Sequence, residues 1–414
     1  MRQPGDTLAE ALQQLLRFAD LMLRAGDEAF RVREAMGLLA KAMGLERLQV
    51  QFALNSMAAG AQRDGAEISL VREIAPLGIN AWRIGALDRL ARSSSPGLTP
   101  ALLATELDAI EAEPARHSLI AVALAIGLAS GAFSYLNGGD TLGTAAAALA
   151  GGLGQALRSL LFRRHLNQFV VTAICAVFTA GIYCLLIAVL GRGFAPSHAA
   201  GFIFSVLFLV PGFPLVASLL DLMQHQTVAA IARLAYAFMV LLAAAIGLSA
   251  VAAIAGVTVE PAMATPPVID VERWALRALA SFLGGCGFAI LYNSSTRVIL
   301  LVGVLSLLGN ELRLGLHDLG LALPPATFLG ALLVGLLASA ARAAMHEPRI
   351  AFTVPSIIIM TPGLYAFRTI VLLNQGQILP AVQAAASCFF IVGAMALGLA
   401  AARFATDRQW LIEQ

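Results

Sequence analysis

The sequence predicts an all-α polytopic membrane protein of about ten transmembrane helices, built as an inverted 5+5 repeat with a broken helix in each half, plus a small N-terminal α+β domain. Three observations predict it. The 414 residues are 59% hydrophobic and only 13% charged, with a mean hydropathy of +0.81, against roughly 25% charged residues in an ordinary soluble domain. Residues 1–117 hold 28 of the 52 charged side chains, so a soluble domain precedes the membrane part. Finally, two apolar spans, 202–222 and 352–373, carry Pro-Gly at their centres: Pro211-Gly212-Phe213-Pro214 and Thr361-Pro362-Gly363. Proline removes an amide donor and clashes with the preceding turn, and glycine permits turn dihedrals, so each span breaks at mid-membrane depth. Irregular backbone survives there only when buried in protein or lining a watery cavity, and a broken helix in each half points to a transporter's binding site.

In the N-terminal domain, Leu8, Leu12, Leu15, Leu16, Ala19 and Leu23 recur at helical spacing over 7–24, and a second amphipathic run covers 29–43. Residues 48–54 and 67–72 alternate, 56–62 are small and polar, and Arg63-Asp64-Gly65 supplies a turn, which gives two or three antiparallel strands ending in a hairpin. Two more helices are expected over 78–92 and 100–112, divided by Ser93-Ser94-Ser95-Pro96-Gly97. No Cys and no His precedes His117, so catalytic triads and His-type zinc sites lack a member. Asp27, Glu28 and Glu34 are read as solvated helix faces and a cap. The polar opening 1–6 and the amphipathic first helix lack a signal-peptide pattern, so this domain is expected in the cytoplasm.

Spans are expected at 118–136, 142–162, 169–190, 200–220, 228–256, 274–292, 296–316, 325–344, 350–373 and 381–402. The domain reading is a cytoplasmic domain 1–117, a first five-helix repeat 118–256, an extracytoplasmic linker 257–273, a second repeat 274–403 and a cytoplasmic tail 404–414. Gly131 to Asn137 answers Gly287 to Asn293, Gly154 to Arg158 answers Gly309 to Arg313, and Pro211 to Pro214 answers Pro362 to Tyr365. An odd number of helices per copy makes the second copy enter from the opposite side. Arg163, Arg164, Arg297, Arg342, Arg349, Arg403 and Arg408 then fall inside, against Arg192 and Arg273 outside. Cys175, Cys184, Cys286 and Cys388 lie within apolar spans and read as small buried hydrophobes.

Gly26-Asp27-Glu28-Ala29-Phe30-Arg31-Val32, Gly78-Ile79-Asn80, Tyr135 to Gly139 and Leu209 to Leu215 resemble the N-terminal type of module of the threonine/serine exporter family. Gly287-Phe288-Ala289, Asn293, Arg297 and the stretch from Val354-Pro355 to Thr361-Pro362-Gly363 resemble its C-terminal module. Similar modules occur elsewhere as separate subunits of a succinate exporter. The resemblance implies export of small hydrophilic metabolites driven by the proton motive force. One departure is Arg33-Glu34, where the family usually has an acid directly after Arg-Val.

The candidate substrate residues are Pro211, Gly212, Phe213, Pro214, Thr361, Pro362 and Gly363 at the breaks, with Arg158, Arg313 and Arg368 as carboxylate forks and Asn137 and Asn293 as symmetric amides. The alternative for each arginine is snorkelling to headgroups or internal pairing, and for each asparagine the capping of the polar turn that follows it. Glu311 and, second, Asp221 are the candidates for proton coupling, because an apolar span disfavours a carboxylate; the alternatives are a structural ion pair for Glu311 and a solvated helix end for Asp221. His165, His225, His317 and His346 fall at loops or helix ends and offer little for a relay.

The expected partners are an amino acid or dicarboxylate, protons, membrane lipid and further copies of the chain, with no cofactor or metal. A net charge of +2 argues against nucleic acid. A phosphate-cradling Gly-x-x-x-x-Gly-Lys-Ser/Thr loop is missing, which argues against ATP-driven pumping. The reading is therefore a secondary exporter in the bacterial inner membrane, most simply of threonine and serine. The alternatives are a dicarboxylate exporter, a passive channel and a membrane-anchored regulator.

Overall fold

The computed structural model describes residues 4–53, 56–74, 78–164, 166–190, 194–195, 197–257, 271–345, 347–407 and 410. Two helices, α1 (Pro4–Arg24) and α2 (Ala29–Ala42), lead into strands β1 (Arg47–Phe52), β2 (Ser56–Arg63) and β3 (Ala66–Glu73), followed by α3 (Ala81–Ser93) and α4 (Pro100–Ala112). The strands form an antiparallel meander in the order β1-β2-β3, with Val50 opposite Ala59 and Ala59 opposite Leu70. The hairpin turn places Asp64 at φ 52° and Gly65 at φ 77°. Positive φ at both central residues is the two-residue turn whose twist suits a hairpin, and Asp-Gly is among its preferred sequences. The helical stripe of α1 is buried with Met57, Ala59 and Ala61, the inward face of β2.

The membrane part contains α5 (Leu119–Leu136), α6 (Thr141–Phe162), α7 (Gln168–Val189), α8 (His198–Ser205), α9 (Gly212–Met223), α10 (Thr227–Ala255), α11 (Val271–Leu291), α12 (Thr296–Asp318), α13 (Leu323–Met345), α14 (Ile350–Ile357), α15 (Gly363–Asn374) and α16 (Ile378–Thr406). Eight of these are long and apolar enough to cross a bilayer, and the bent pairs α8–α9 and α14–α15 bring the total to as many as 10. Of the expected linker 257–273, residues 258–270 lie outside the described residues and 271–273 already belong to α11; Arg192, Arg408, His165, His346 and most of the tail also lie outside.

Contacts with the N-terminal domain fix which way the helices run. Just before α5, Arg116 donates its backbone N–H to Asn293 at the α11–α12 turn, 2.8 Å away. Phe30 donates its own to Asp221 at the end of α9. Arg89 pairs with Glu347, which precedes α14, at 2.8 Å. These residues mark the near end of the bundle. The α8–α9 pair therefore runs toward the domain and the α14–α15 pair away from it. Helices α5 and α11 cross closely because glycine lies at the contact: a Cβ on Gly287 would stand 2.6 Å from the Ala125 carbonyl.

Candidate functional site: two facing breaks beneath a buried charge junction

Each broken pair bends where its sequence predicts, by 63° and 51°. A 3-10 turn at Leu207–Leu209 precedes Pro211, which sits at ψ 56°, and one at Ile358–Met360 precedes Pro362, at ψ 47°. Pro214 does not extend the break. It falls in the first turn of α9, where an amide has no intrahelical partner to lose.

The two breaks meet. A Cβ on Gly212 would stand 3.4 Å from the side chains of both Ile358 and Thr361, and one on Gly363 would stand 3.8 Å from Val210 and 3.9 Å from Leu207. Part of the freed backbone is satisfied locally: the amides of Val210 and Gly212 bond the carbonyls of Leu207 and Val210. The Thr361 hydroxyl donates to the Ile358 carbonyl at 2.6 Å. Beside them lies an apolar cavity of about 30 Å³ lined by Leu207, Val210, Leu248, Gly363 and Phe367. That volume is too small for an amino acid. The breaks are thus closed over one another.

The other candidates are divided between the ends. Arg158, on α6, donates to the Phe208 carbonyl at 3.3 Å, next to the first break, and lies 5.1 Å above the Phe162 ring. Arg313, on α12, donates to Thr327 and to Asn310, each at 3.1 Å, and Asn310 donates to Ser281 at 2.9 Å. A Cβ on Gly309 would meet the Met360 terminal carbon at 2.8 Å, which puts this cluster beside the second break. Because α6 runs toward the domain and α12 away from it, Arg158 occupies the near half and Arg313 the far half, and the structure does not join them. Arg368 is half-buried on α15, beyond the second break. Asn137 is exposed at the far end and donates to the Phe133 carbonyl. Asn293 is a structural tie at the near end: it sits at φ 58° and donates to Asn80 at 3.1 Å.

Glu311 takes the ion-pair form. Its carboxylate lies 3.0 Å from Arg277, and Arg277 also reaches Asp318 at 2.7 Å. Asp221 departs from the expected solvated helix end: it is fully buried, accepts from the Phe30 amide at 3.3 Å and pairs with Arg233 at 3.2 Å.

The larger correction concerns Asp27 and Glu28. They are not solvated faces, being 0% and 1% exposed. Gly26 bends the chain at φ 99°, and a Cβ there would lie 3.0 Å from the Gly78 carbonyl and 3.5 Å from the ring of Phe213 in α9. That close approach seats the following acids against the membrane helices. Asp27 accepts from Arg31 at 2.8 Å, and Arg31 reaches Asp88 at 3.0 Å. Arg233 donates to the Asp27 carbonyl at 2.5 Å. Glu28 lies 3.7 Å from Arg403 of α16, whose guanidinium stands 4.9 Å over Phe30 and 4.2 Å over Trp410. Arg33, the departure from the usual acid, donates to the Val50 carbonyl and to Gln226. Glu34 does stay half in solvent, paired with Arg92.

Burial drives the Glu28 carboxyl up to about 7; Arg403 and Arg31 oppose the rise, and Asp27 and Asp221 add to it. Burial likewise raises Asp27 against the pull of Arg31. For Asp88 burial also opposes ionisation, yet Arg31 and Arg92 outweigh it and hold the carboxyl below its ordinary range. Sequence reasoning did not name Arg233 or Arg277, and it placed Arg31 only in a family-like stretch and Arg403 only in the charge count that sets orientation. A usable signal was present in the acid-arginine pair spaced by four residues at 27 and 31, set among Ala29, Phe30 and Val32.

Comparison with known proteins agrees with this architecture. Two family descriptions match in tandem: "Putative threonine/serine exporter" over residues 13–255 and "Threonine/Serine exporter, ThrE" over 277–405. Among curated relatives, a protein of Escherichia coli K12 named "Probable succinate transporter subunit YjjP" is 27% identical over 229 residues, covering 55% of this chain and 87% of its own length. The protein of the same name in Klebsiella aerogenes is 26% identical over 229 residues, covering 55% of this chain and 86% of its own length. No solved structure matches the chain. With one match spanning the N-terminal domain and the first broken helix and the other the second, the chain belongs to the threonine/serine exporter family, a family of membrane exporters and not of enzymes.

Proposed function

We propose that the protein is a secondary active exporter of small hydrophilic metabolites, threonine and serine first, driven by the proton motive force. The observation that carries this reading is the meeting of two broken helices in a closed core, flanked by Arg158 on one side and Arg313 on the other. When the breaks part, backbone amides and an arginine fork become available to a carboxylate, which amino acids and dicarboxylates share. The opposite sense of the two broken pairs supports an inverted repeat. The arginine distribution supports an inner-membrane protein with residues 1–117 in the cytoplasm. The relatives' names favour succinate or another dicarboxylate as the second reading. They also name a subunit, which supports assembly into an oligomer.

The test is counterflow in proteoliposomes preloaded with threonine, serine or succinate, followed by accumulation against a gradient under an imposed pH difference. Threonine or serine exchanging fastest supports the first reading and succinate the second. Flux that an uncoupler leaves unchanged would make the protein a channel. No exchange above protein-free liposomes sinks the exporter reading for these substrates.

A further inference from the structure

The segment 26–30, a turn running into the start of α2, bridges the two halves of the membrane part. On one side, Phe30 holds Asp221 at the end of α9, and the Asp27 carbonyl holds Arg233 of α10. On the other, Glu28 and Phe30 hold Arg403 of α16. Helix α16 packs along α15, the second half of the other broken pair. Separating α9 and α10 from α16 at the near end therefore has to pull this segment apart. We propose that Glu28 is the proton-carrying group of the transport cycle, protonated while the near-end junction is closed around it and ionised when the junction opens to water.

The geometry supports this role independently of any titration value. Glu28 is 1% exposed, and its Oε2 accepts no hydrogen bond among the described residues. The charges that face it are Asp27 and Arg31 from the start of α2, Asp221 from α9 and Arg403 from α16. Behind them stand Asp88 and Arg92 of α3, Arg233 of α10, Arg342 of α13, Arg349 just before α14, and Asp407 after α16. Its nearest arginine nitrogens are 3.7 and 3.9 Å away, beyond hydrogen-bond reach, so neither arginine fully replaces lost water. Asp27 and Asp221 each have a closer arginine partner, at 2.8 and 3.2 Å. Of the three acids, Glu28 is the one whose negative charge is least well met.

The sign follows from burial. A carboxyl whose value is about 7 in the closed junction and 4.5 in water binds its proton more tightly when closed. Closure is therefore favoured fully below about 4.5 and loses that advantage as pH rises to about 7. The only bond involved is the Glu28 O–H. It forms with a proton arriving between α9 and α16 while the near end is sealed, and breaks to near-side water on opening. In the exporter reading, on which this consequence rests, that is inward proton movement linked to the return of the binding site.

The test has two arms. Hydrogen–deuterium exchange over residues 24–34, in the full chain in lipid nanodiscs and corrected for intrinsic rates, should show the opening equilibrium rising roughly 50- to 100-fold between pH 5 and pH 8. In Glu28→Gln the rise should shrink at least tenfold, what remains coming from Asp27, which burial also raises. Glu28→Asp, one methylene shorter, should keep a rise, and Glu34→Gln should match wild type. A flat wild-type profile, or an unchanged slope in Glu28→Gln, overturns the proposal, and the wild-type profile alone decides if Glu28→Gln does not fold. In proteoliposomes, Glu28→Gln should lower the ratio of pH-driven accumulation to counterflow at least tenfold, and an unchanged ratio also overturns it. If wild type carries none of the three substrates, the exporter reading fails and the exchange arm still decides whether Glu28 binds the proton.

Discussion

The near and far ends of the membrane bundle handle buried charge differently. At the near end, Asp27, Glu28, Asp221, Arg31 and Arg233 are all almost completely buried and belong to two separate parts of the chain. At the far end, Glu311 and Arg277 also pair, but the third member, Asp318, is 45% exposed and opens the cluster to solvent. A sealed cluster with many partners resists opening and is sensitive to each proton it holds. A cluster with one foot in water can relax, so losing a member there should matter less.

The largest expected effect tests the sealed end. Arg233→Ala leaves the Asp221 carboxylate without its ion-pair partner and the Asp27 carbonyl without the Arg233 donor, and breaking such a buried pair costs about 3–5 kcal/mol. Thermal unfolding in detergent should show it as a large drop in midpoint. The double variant Asp221→Asn/Arg233→Gln should lose less than the sum of Asp221→Asn and Arg233→Gln measured singly, and a loss equal to that sum would mean that the pair is not coupled.

Next comes Arg277→Gln at the open end. Asp318 can turn to water while Glu311 stays buried without its partner, so the loss should be about 1–3 kcal/mol. A loss as large as that of Arg233→Ala would erase the difference between the ends. Glu311→Gln in the accumulation assay sharpens the comparison further: if it, and not Glu28→Gln, uncouples transport from the pH gradient, coupling belongs at the far end.

The two asparagines give the smaller effects. Asn293→Ala removes bonds to Asn80 and to the Arg116 amide and leaves alanine at φ 58°, at a cost of about 1–2 kcal/mol. Asn293→Gly should recover the strain component but not the bonds. Asn137→Ala, exposed at the far end, should change the unfolding midpoint by no more than about 0.5 kcal/mol equivalent. A larger loss there would give the far end a structural tie that its geometry does not show.

Features governed by neighbours in sequence were legible in advance. Helix α4 spans the expected 100–112, held at its start by the Thr99 hydroxyl and a first-turn proline, which act within three residues. The Asp64-Gly65 hairpin and the breaks at Pro211 and Pro362 are likewise local stereochemistry. The membrane spans follow from summed hydropathy, which does not depend on what packs against what. Arg158 and Arg313 show the limit. The sequence aligns the two positions, yet a residue near the end of a helix lies at the near side in α6 and at the far side in α12.

Sequence by itself determined which stretches enter the bilayer, where two of them break, and the family to which the chain belongs. Tertiary structure decided which acids lose their water. Asp27 and Glu28 precede an amphipathic helix, a place where acids usually meet solvent. They are buried because Arg233 and Arg403, supplied by distant helices, close over them; the bond from Arg233 to Asp27 spans 206 residues. The charge state of a carboxyl depends on solvent and on every charge within a few ångströms, and only the folded chain brings those together.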